Sequence, residues 1–202
     1  MKTRFVYFDL GNVLVHFDHE LAVRGLARCS GRPETLVRQV VFESELQNRY
    51  ETGLIDSQQF SAAINVGLES NLPAGEILEA ISAIFQPNHA ILPALRWLQD
   101  ARIPMGILSN TCESHWNWVM AKDWPVLADW FGETILSYQV KSMKPAAEIY
   151  SVCEQRAGCR ADSLFFTDDR AENVAAAAER GWQTYQYHST DELLERLDAW
   201  LQ

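Results

Sequence analysis

Arg4-Phe5-Val6-Tyr7-Phe8-Asp9-Leu10-Gly11-Asn12 is a short apolar run that ends in a carboxylate and then a Leu-Gly-Asn turn. A brief run of this kind, closed by turn residues, is the pattern of a buried strand. The pattern returns twice: residues 104–109 end in Ser109-Asn110, and residues 164–167 end in Asp168-Asp169. Helical periods follow or intervene at 91–99, 113–120, 146–156, 171–180 and 191–201, and further strand-like runs fall at 133–137 and 182–187. Gly181 follows the fourth of these helices as a helix-stopping glycine. Strands alternating with helices predict an α/β fold, a Rossmann-like and mostly parallel sheet with helices on both faces.

Residues 18–86 interrupt this alternation with helical spacing alone. Apolar residues recur as Leu21, Val23, Leu26 and Ala27, then Leu36, Val37, Val40 and Val41, then Phe60, Ile64 and Leu68, then Ile77, Leu78, Ile81 and Ile84. Gly31-Arg32-Pro33, Thr52-Gly53 and Pro73 punctuate them, with both prolines where a first helical turn tolerates proline. The expected organisation is therefore an α/β core of residues 1–17 and 87–202 with an inserted all-helical cap subdomain over 18–86.

The 202 residues suffice for one such core with an insertion and are short for two independent domains. A formal charge of −10 disfavours nucleic acid and anionic membrane as partners. It also repels a phosphorylated substrate, so any anion site must be built locally from a metal, a lysine or backbone N–H groups. No apolar run approaches the ~18 residues of a membrane span, and the first residues lack a signal-peptide layout. The expected location is cytoplasmic. Cys29, Cys112, Cys153 and Cys159 are scattered without metal-type spacing, as free thiols in a reducing compartment would be.

In open α/β sheets ligands bind beyond the C-terminal ends of the strands. Asp9, Ser109 and Asp168-Asp169 each stand there, so the fold should gather them in one crevice. A carboxylate at such a position can act as a nucleophile, although strand-end aspartates also serve as ordinary turn residues. Two adjacent carboxylates repel; at ~4 Å and an effective dielectric of ~20 the cost is about 4 kcal/mol. Solvent, or a divalent cation between them, relieves it. Oxygen-only ligands of this kind suit Mg²⁺. Lys144, just before Pro145 and a helix, could supply a fixed ammonium to offset the nucleophile and bind phosphoryl oxygens. Ser109 and Asn110 could donate hydrogen bonds to the same oxygens, or serve the turn before the next helix.

These parts together resemble the haloacid dehalogenase-like hydrolases. Phe8-Asp9-Leu10-Gly11-Asn12-Val13-Leu14 is similar to the first motif of that superfamily, and Ile107-Leu108-Ser109-Asn110 to the second. Ser137-Tyr138 with Lys144-Pro145 and Glu148-Ile149-Tyr150 resembles the third. Phe165-Phe166-Thr167-Asp168-Asp169 with Asn173, Ala177 and Gly181 resembles the fourth. Four motifs in order across nearly the whole chain are a far stronger signal than any one of them. The nearest subgroup comprises bacterial sugar-phosphate phosphatases resembling α-glucose-1-phosphate phosphatase, similar in turn to the N-terminal phosphatase domain of soluble epoxide hydrolase. The resemblance implies a small phosphorylated substrate, attack on phosphorus by Asp9 and an aspartyl-phosphate intermediate that water hydrolyses. It implies Mg²⁺ held by Asp9, the carbonyl of Gly11 and Asp169, with Asp168 nearby. Ser109 and Asn110 would bind the phosphoryl group and Lys144 would neutralise charge.

One position departs from the pattern. Most phosphatases of the superfamily carry a second aspartate two residues after the nucleophile, which protonates the leaving group and then activates water. Here that residue is Gly11, and Asn12 replaces the usual glycine after it. The subgroup often has glycine in place of that aspartate, so the loss leaves the general acid–base unassigned without implying an inactive enzyme. His16 and Asp18 are the nearest candidates, each with a plainer role at the entrance to the cap. Lys141 stands where the family often has glycine. Trp116, Trp118, Trp124 and Trp130 form either a sugar-stacking or partner surface or, more simply, helix packing. Tyr50 is placed by the cap where it could face substrate.

Two rivals stand beside the phosphatase. A 2-haloacid dehalogenase of the same superfamily shares the aspartate, the Ser-Asn and the Lys-Pro but needs no metal. It typically lacks the acidic pair, so Asp168-Asp169 argue against it; its early cap arginine has no clear counterpart, although Arg24 lies in that region. A non-catalytic phosphate-ligand binding module is favoured by Gly11 and disfavoured by the intact Asp9, Lys144 and Asp169. A phosphotransferase is a variant of the main reading. Specificity should lie in the cap, and the sequence encodes no readable oligomeric state.

Overall fold

The computed structural model describes residues 4–202, so the first three residues of the expected core segment 1–17 lie outside the described residues. The elements run β1 (Phe5–Phe8), β2 (Val15–Phe17), α1 (His19–Ser30), α2 (Glu34–Val41), α3 (Leu46–Glu51), α4 (Ser57–Gly67), α5 (Ala74–Ser82) and β3 (Phe85–Pro87). They continue α6 (Leu92–Asp100), β4 (Met105–Ser109), α7 (Glu113–Met120), β5 (Phe131–Leu136), α8 (Ser137–Val140), α9 (Ala147–Ala157), β6 (Leu164–Asp168), α10 (Ala171–Glu179), β7 (Gln183–Gln186) and α11 (Thr190–Leu201).

The main sheet has the order β5-β4-β1-β6-β7, and every pairing in it is parallel. Side chains alternate across its faces. Val6 and Phe8 join Ile107 and Phe165 against Leu95 and Leu98 of α6 and Leu193 and Leu197 of α11. Phe5 and Tyr7 face the other way with Leu108 and Phe166, onto Ile149, Tyr150 and Cys153 of α9 and Ala177 of α10. Burial on both faces explains why the central strands are apolar throughout rather than alternating.

Five helices fill the interval between β2 and β3, where the sequence shows four helical runs. The unexpected one is α3, six residues long with Tyr50 as its one buried side chain. β2 and β3 pair antiparallel as a two-stranded ribbon, Val15 opposite Pro87 and Phe17 opposite Phe85, and join the helical insertion to the sheet. Asp18 caps α1 by accepting from Glu20 N at 2.9 Å, and Asp56 caps α4 in a capping box with Gln59. The four tryptophans between 116 and 130 are partly buried against the core; Trp118 Nε1 donates to Glu79 Oε1 at 3.2 Å and Trp130 Nε1 to Pro125 O at 2.6 Å. All four cysteines are free thiols. Among the described residues no helix is long and apolar enough to cross a membrane.

Candidate active site

β1 lies between β4 and β6, so the residues at their C-terminal ends meet. Phe8 pairs with Ile107 on one side and Thr167 on the other, and Asp9 N donates to Thr167 O at 2.9 Å. Asp9, Ser109 and Asp168 thus share one edge of the sheet, and all three are buried. Lys144 reaches this edge from the loop before α9, next to a cis peptide to Pro145. Its ammonium lies 2.7 Å from Asp9 Oδ1 and 2.6 Å from Asp168 Oδ2, and donates to Leu108 O at 2.9 Å. Its three donors are therefore all used.

One oxygen from each of Asp9, Asp168 and Asp169 lies within 4.8 Å of the others. Three carboxylates there face one ammonium. The two aspartates of the adjacent pair differ sharply in surroundings. Asp168 is fully buried: Oδ1 accepts from Arg170 N at 2.8 Å and Asn173 Nδ2 at 3.0 Å, and Oδ2 from Lys144 Nζ and Asn173 Nδ2. Asp169 is partly exposed and accepts from Asn12 Nδ2 through Oδ2 at 2.9 Å. Asn12 has φ 54°, a left-handed conformation that asparagine tolerates better than most side chains.

Burial is the largest influence on Asp9 and raises its pKa; Lys144 opposes that shift and Asp168 adds to it. Burial alone would lower the Lys144 pKa, but Asp9 and Asp168 together overcome it and hold the ammonium charged.

Ser109 lines a cleft of about 50 Å³, partly open to solvent, between this edge and the helical insertion. Asn110 borders it too, but its amide is committed: Nδ2 donates to Lys144 O at 2.8 Å and Oδ1 accepts from Lys144 N at 2.7 Å. Asn110 therefore fixes the Lys144 loop, with one N–H left over. The remaining wall comes from Leu10, Gly11, Phe17, His19, Glu51 and His115, among others.

Several residues singled out in the sequence lie apart from the cleft. His16 is exposed on β2, Asp18 serves as a helix cap and pairs with Arg24 at the surface, and none of the four tryptophans lines the cleft. Tyr50 is buried instead, stacked on Phe60 with its hydroxyl between Ser57 Oγ and Ser114 N. Lys141 has φ 56°, a backbone state that glycine adopts without strain. Sequence reading gives no role to Asn12, Asn173 or Glu51. The polar spacing of Asn173 after Asp168 is visible there, but Glu51 carries no signal beyond being one glutamate among many.

A model of the haloacid dehalogenase-like hydrolases matches residues 3–181. The chain belongs to that family. Within this hydrolase family it is 25% identical over 192 residues to a D-ribitol-5-phosphate phosphatase of Bacteroides thetaiotaomicron, covering 90% of each protein. A haloacid dehalogenase family enzyme of the same organism, solved in complex with magnesium and inorganic phosphate, superposes with a TM-score of 0.80 at 26% identity, over 92% of this chain and 94% of that one. An (S)-2-haloacid dehalogenase of Pseudomonas fluorescens is 27% identical over 107 residues, but across only 52% of this chain and 46% of that protein.

Proposed function

We propose that this hydrolase is a Mg²⁺-dependent phosphatase for a small phosphate monoester, a sugar or polyol phosphate, working through an aspartyl-phosphate on Asp9. The observation that carries the reading is the single buried cluster of Asp9, Lys144 and Asp168, with Asp169 beside it, at the C-terminal edge of the sheet. The similarity to a protein named for D-ribitol 5-phosphate, and to a structure holding magnesium and phosphate, supports the substrate class and the metal.

The donor set fits Mg²⁺. It offers hard oxygens only, with carboxylate in excess over ammonium. Asp168 has both oxygens engaged by Lys144, Asn173 and Arg170 N. Asp9, Asp169 and the Gly11 carbonyl would therefore hold the ion while Asp168 fixes Lys144. When bound, the cation supplies charge that screens the carboxylates and polarises a phosphoryl oxygen.

The chain's own groups do the rest. Asp9 attacks phosphorus and the bond to the alcohol oxygen breaks. Lys144 acts as a fixed positive charge, since its donors already have partners, and Ser109 hydrogen-bonds a phosphoryl oxygen. Water then cleaves the aspartyl-phosphate. Residues 18–86 serve as the cap, closing over substrate on the β2–β3 ribbon, and set specificity. The division of labour within the acidic pair is testable. Asp169→Asn is expected to raise the Mg²⁺ concentration for half-maximal phosphate release by at least about 10-fold, measured by metal titration. An unchanged requirement would assign the ion elsewhere.

A further inference from the structure

Gly11 leaves this reaction without its usual proton carrier, and the Phe17 ring crowds the place where a side chain there would stand. A Cβ on Gly11 would lie 2.8 Å from Phe17 Cε1, so the Phe17 ring fills the space. The carrier must come from another wall of the cleft, which presents His19, Glu51 and His115 as further titratable groups.

The two histidines are poor proton donors. His115 Nε2 lies 3.2 Å from Ile81 O, its ring meets Phe85 edge-on, and burial lowers its pKa to about 4. His19 stacks on Phe42 at 4.7 Å and against Phe17 at 4.9 Å, and desolvation lowers its pKa as well. Both are neutral at about pH 7.

Glu51 differs in every respect. It ends α3, reaches the cleft from the side of the insertion, and is partly buried. The core holds it in place. Ser137 Oγ donates to Glu51 O at 2.6 Å and accepts from Thr111 N at 2.9 Å, two residues after Ser109. Two residues beyond Glu51, a Cβ on Gly53 (φ 70°) would collide with Tyr138 O, so the chain is pressed against the core there. Gln47 Nε2 donates to Glu51 Oε1 at 2.7 Å and orients the carboxyl.

We propose that Glu51 is the general acid–base of this enzyme, carrying from the cap the proton that a second aspartate carries in related phosphatases. The inference rests on the phosphatase reading. In the first half-reaction Asp9 bonds to phosphorus, the P–O bond to the alcohol breaks, and the Glu51 carboxyl gives its proton to the departing oxygen. In the second, the Glu51 carboxylate takes a proton from water as that water bonds to phosphorus. The P–O bond to Asp9 breaks, phosphate leaves, and Glu51 is protonated again. Burial raises the Glu51 pKa to about 7, against Gln47 and Arg170, which lower it. The other groups around it are Cys112, whose own pKa is raised, and the two neutral histidines. A carboxyl poised near neutrality suits both half-reactions.

The test compares Glu51→Gln and Glu51→Asp with the native protein on an alkyl phosphate and on p-nitrophenyl phosphate, with melting curves as the folding control. Native kcat/KM for the alkyl ester should fall as pH rises through about 7. Glu51→Gln should lose that limb and about 10²- to 10⁴-fold in rate, and Glu51→Asp should restore the limb. With p-nitrophenyl phosphate, whose leaving group needs little protonation, Glu51→Gln should still release one equivalent of nitrophenolate in a burst and then stall. An unchanged limb, or equal loss on both esters without a burst, overturns the role of Glu51 alone. If the native protein releases phosphate from neither ester, the phosphatase reading falls and takes this role with it.

Discussion

Replacing Asp9 by asparagine is expected to lower phosphate release by roughly 10⁴- to 10⁶-fold, the scale seen when the nucleophile of a concerted catalytic set is removed. Asparagine keeps the shape of the side chain but cannot form the proposed aspartyl-phosphate. The fold should survive. Burial raises the Asp9 pKa, so the ionised carboxylate costs stability that a neutral amide does not. The sign follows from the direction of that shift: the cost builds as pH rises above the ordinary carboxylate range, where Asp9 ionises in the unfolded chain while burial keeps the native one protonated, and it stops growing once the native Asp9 ionises. The Asp9→Asn variant gives up the ion pair with Lys144, but Lys144 keeps its 2.6 Å contact with Asp168. Phosphate release and melting temperature on the same sample check both halves. Retained activity would remove Asp9 from the chemistry.

Lys144→Met should do what the first substitution does not, and unfold the protein more readily. Lys144 is buried and is the ammonium that both Asp9 and Asp168 share. Removing one partner of a buried pair costs about 3–5 kcal/mol, because a buried charge is left behind. Here two carboxylates are left, one of them fully buried. The loss should be largest above neutrality and shrink toward about pH 5. In the variant Asp9 loses the charge that opposes its upward shift, so the penalty for ionising it grows as pH rises and vanishes as it protonates. Urea unfolding at about pH 5 and about pH 8 reads this directly. A uniform loss at both pH values would mean that Lys144 stabilises by packing rather than charge. Activity should fall as well, since in the proposed mechanism Asp9 and the phosphoryl oxygens would lose their fixed positive charge.

The contrast between Asp9 and Lys144 shows what was legible in the sequence. Asp9, Ser109 and Asp168 stand at the C-terminal ends of strands short and apolar enough to recognise, and a parallel sheet brings strand ends together. Lys144 follows no strand; its residue type suits the site, but only the family resemblance ties it there without knowledge of its contacts. Asn12 and Gly11 were visible as departures, but their causes are tertiary: Asn12 bonds Asp169, and Phe17 fills the space beside Gly11.

The helical insertion was legible in outline and not in detail. α1, α2, α4 and α5 carry repeated apolar residues facing the core. α3 is six residues long and buries one side chain, which is too little for a helical period to register. β2 and β3 span three residues each and escape for the same reason. The residue proposed for the proton-transfer role sits on the one helix of the insertion that the sequence hides. Tyr50 next to it is the more conspicuous residue and turns inward, onto Phe60. The acidic pair is the remaining case, since a sequence shows two equal aspartates. Only the structure separates Asp168, engaged by Lys144, Asn173 and Arg170 N, from the partly exposed Asp169.

The most direct test is phosphate release from a panel of sugar and polyol phosphates, measured with Mg²⁺ and again with EDTA. Release that requires Mg²⁺ and disappears with EDTA is the predicted result. Chloride release from 2-chloropropionate that EDTA leaves unchanged, with no phosphate released from any ester, would contradict the account.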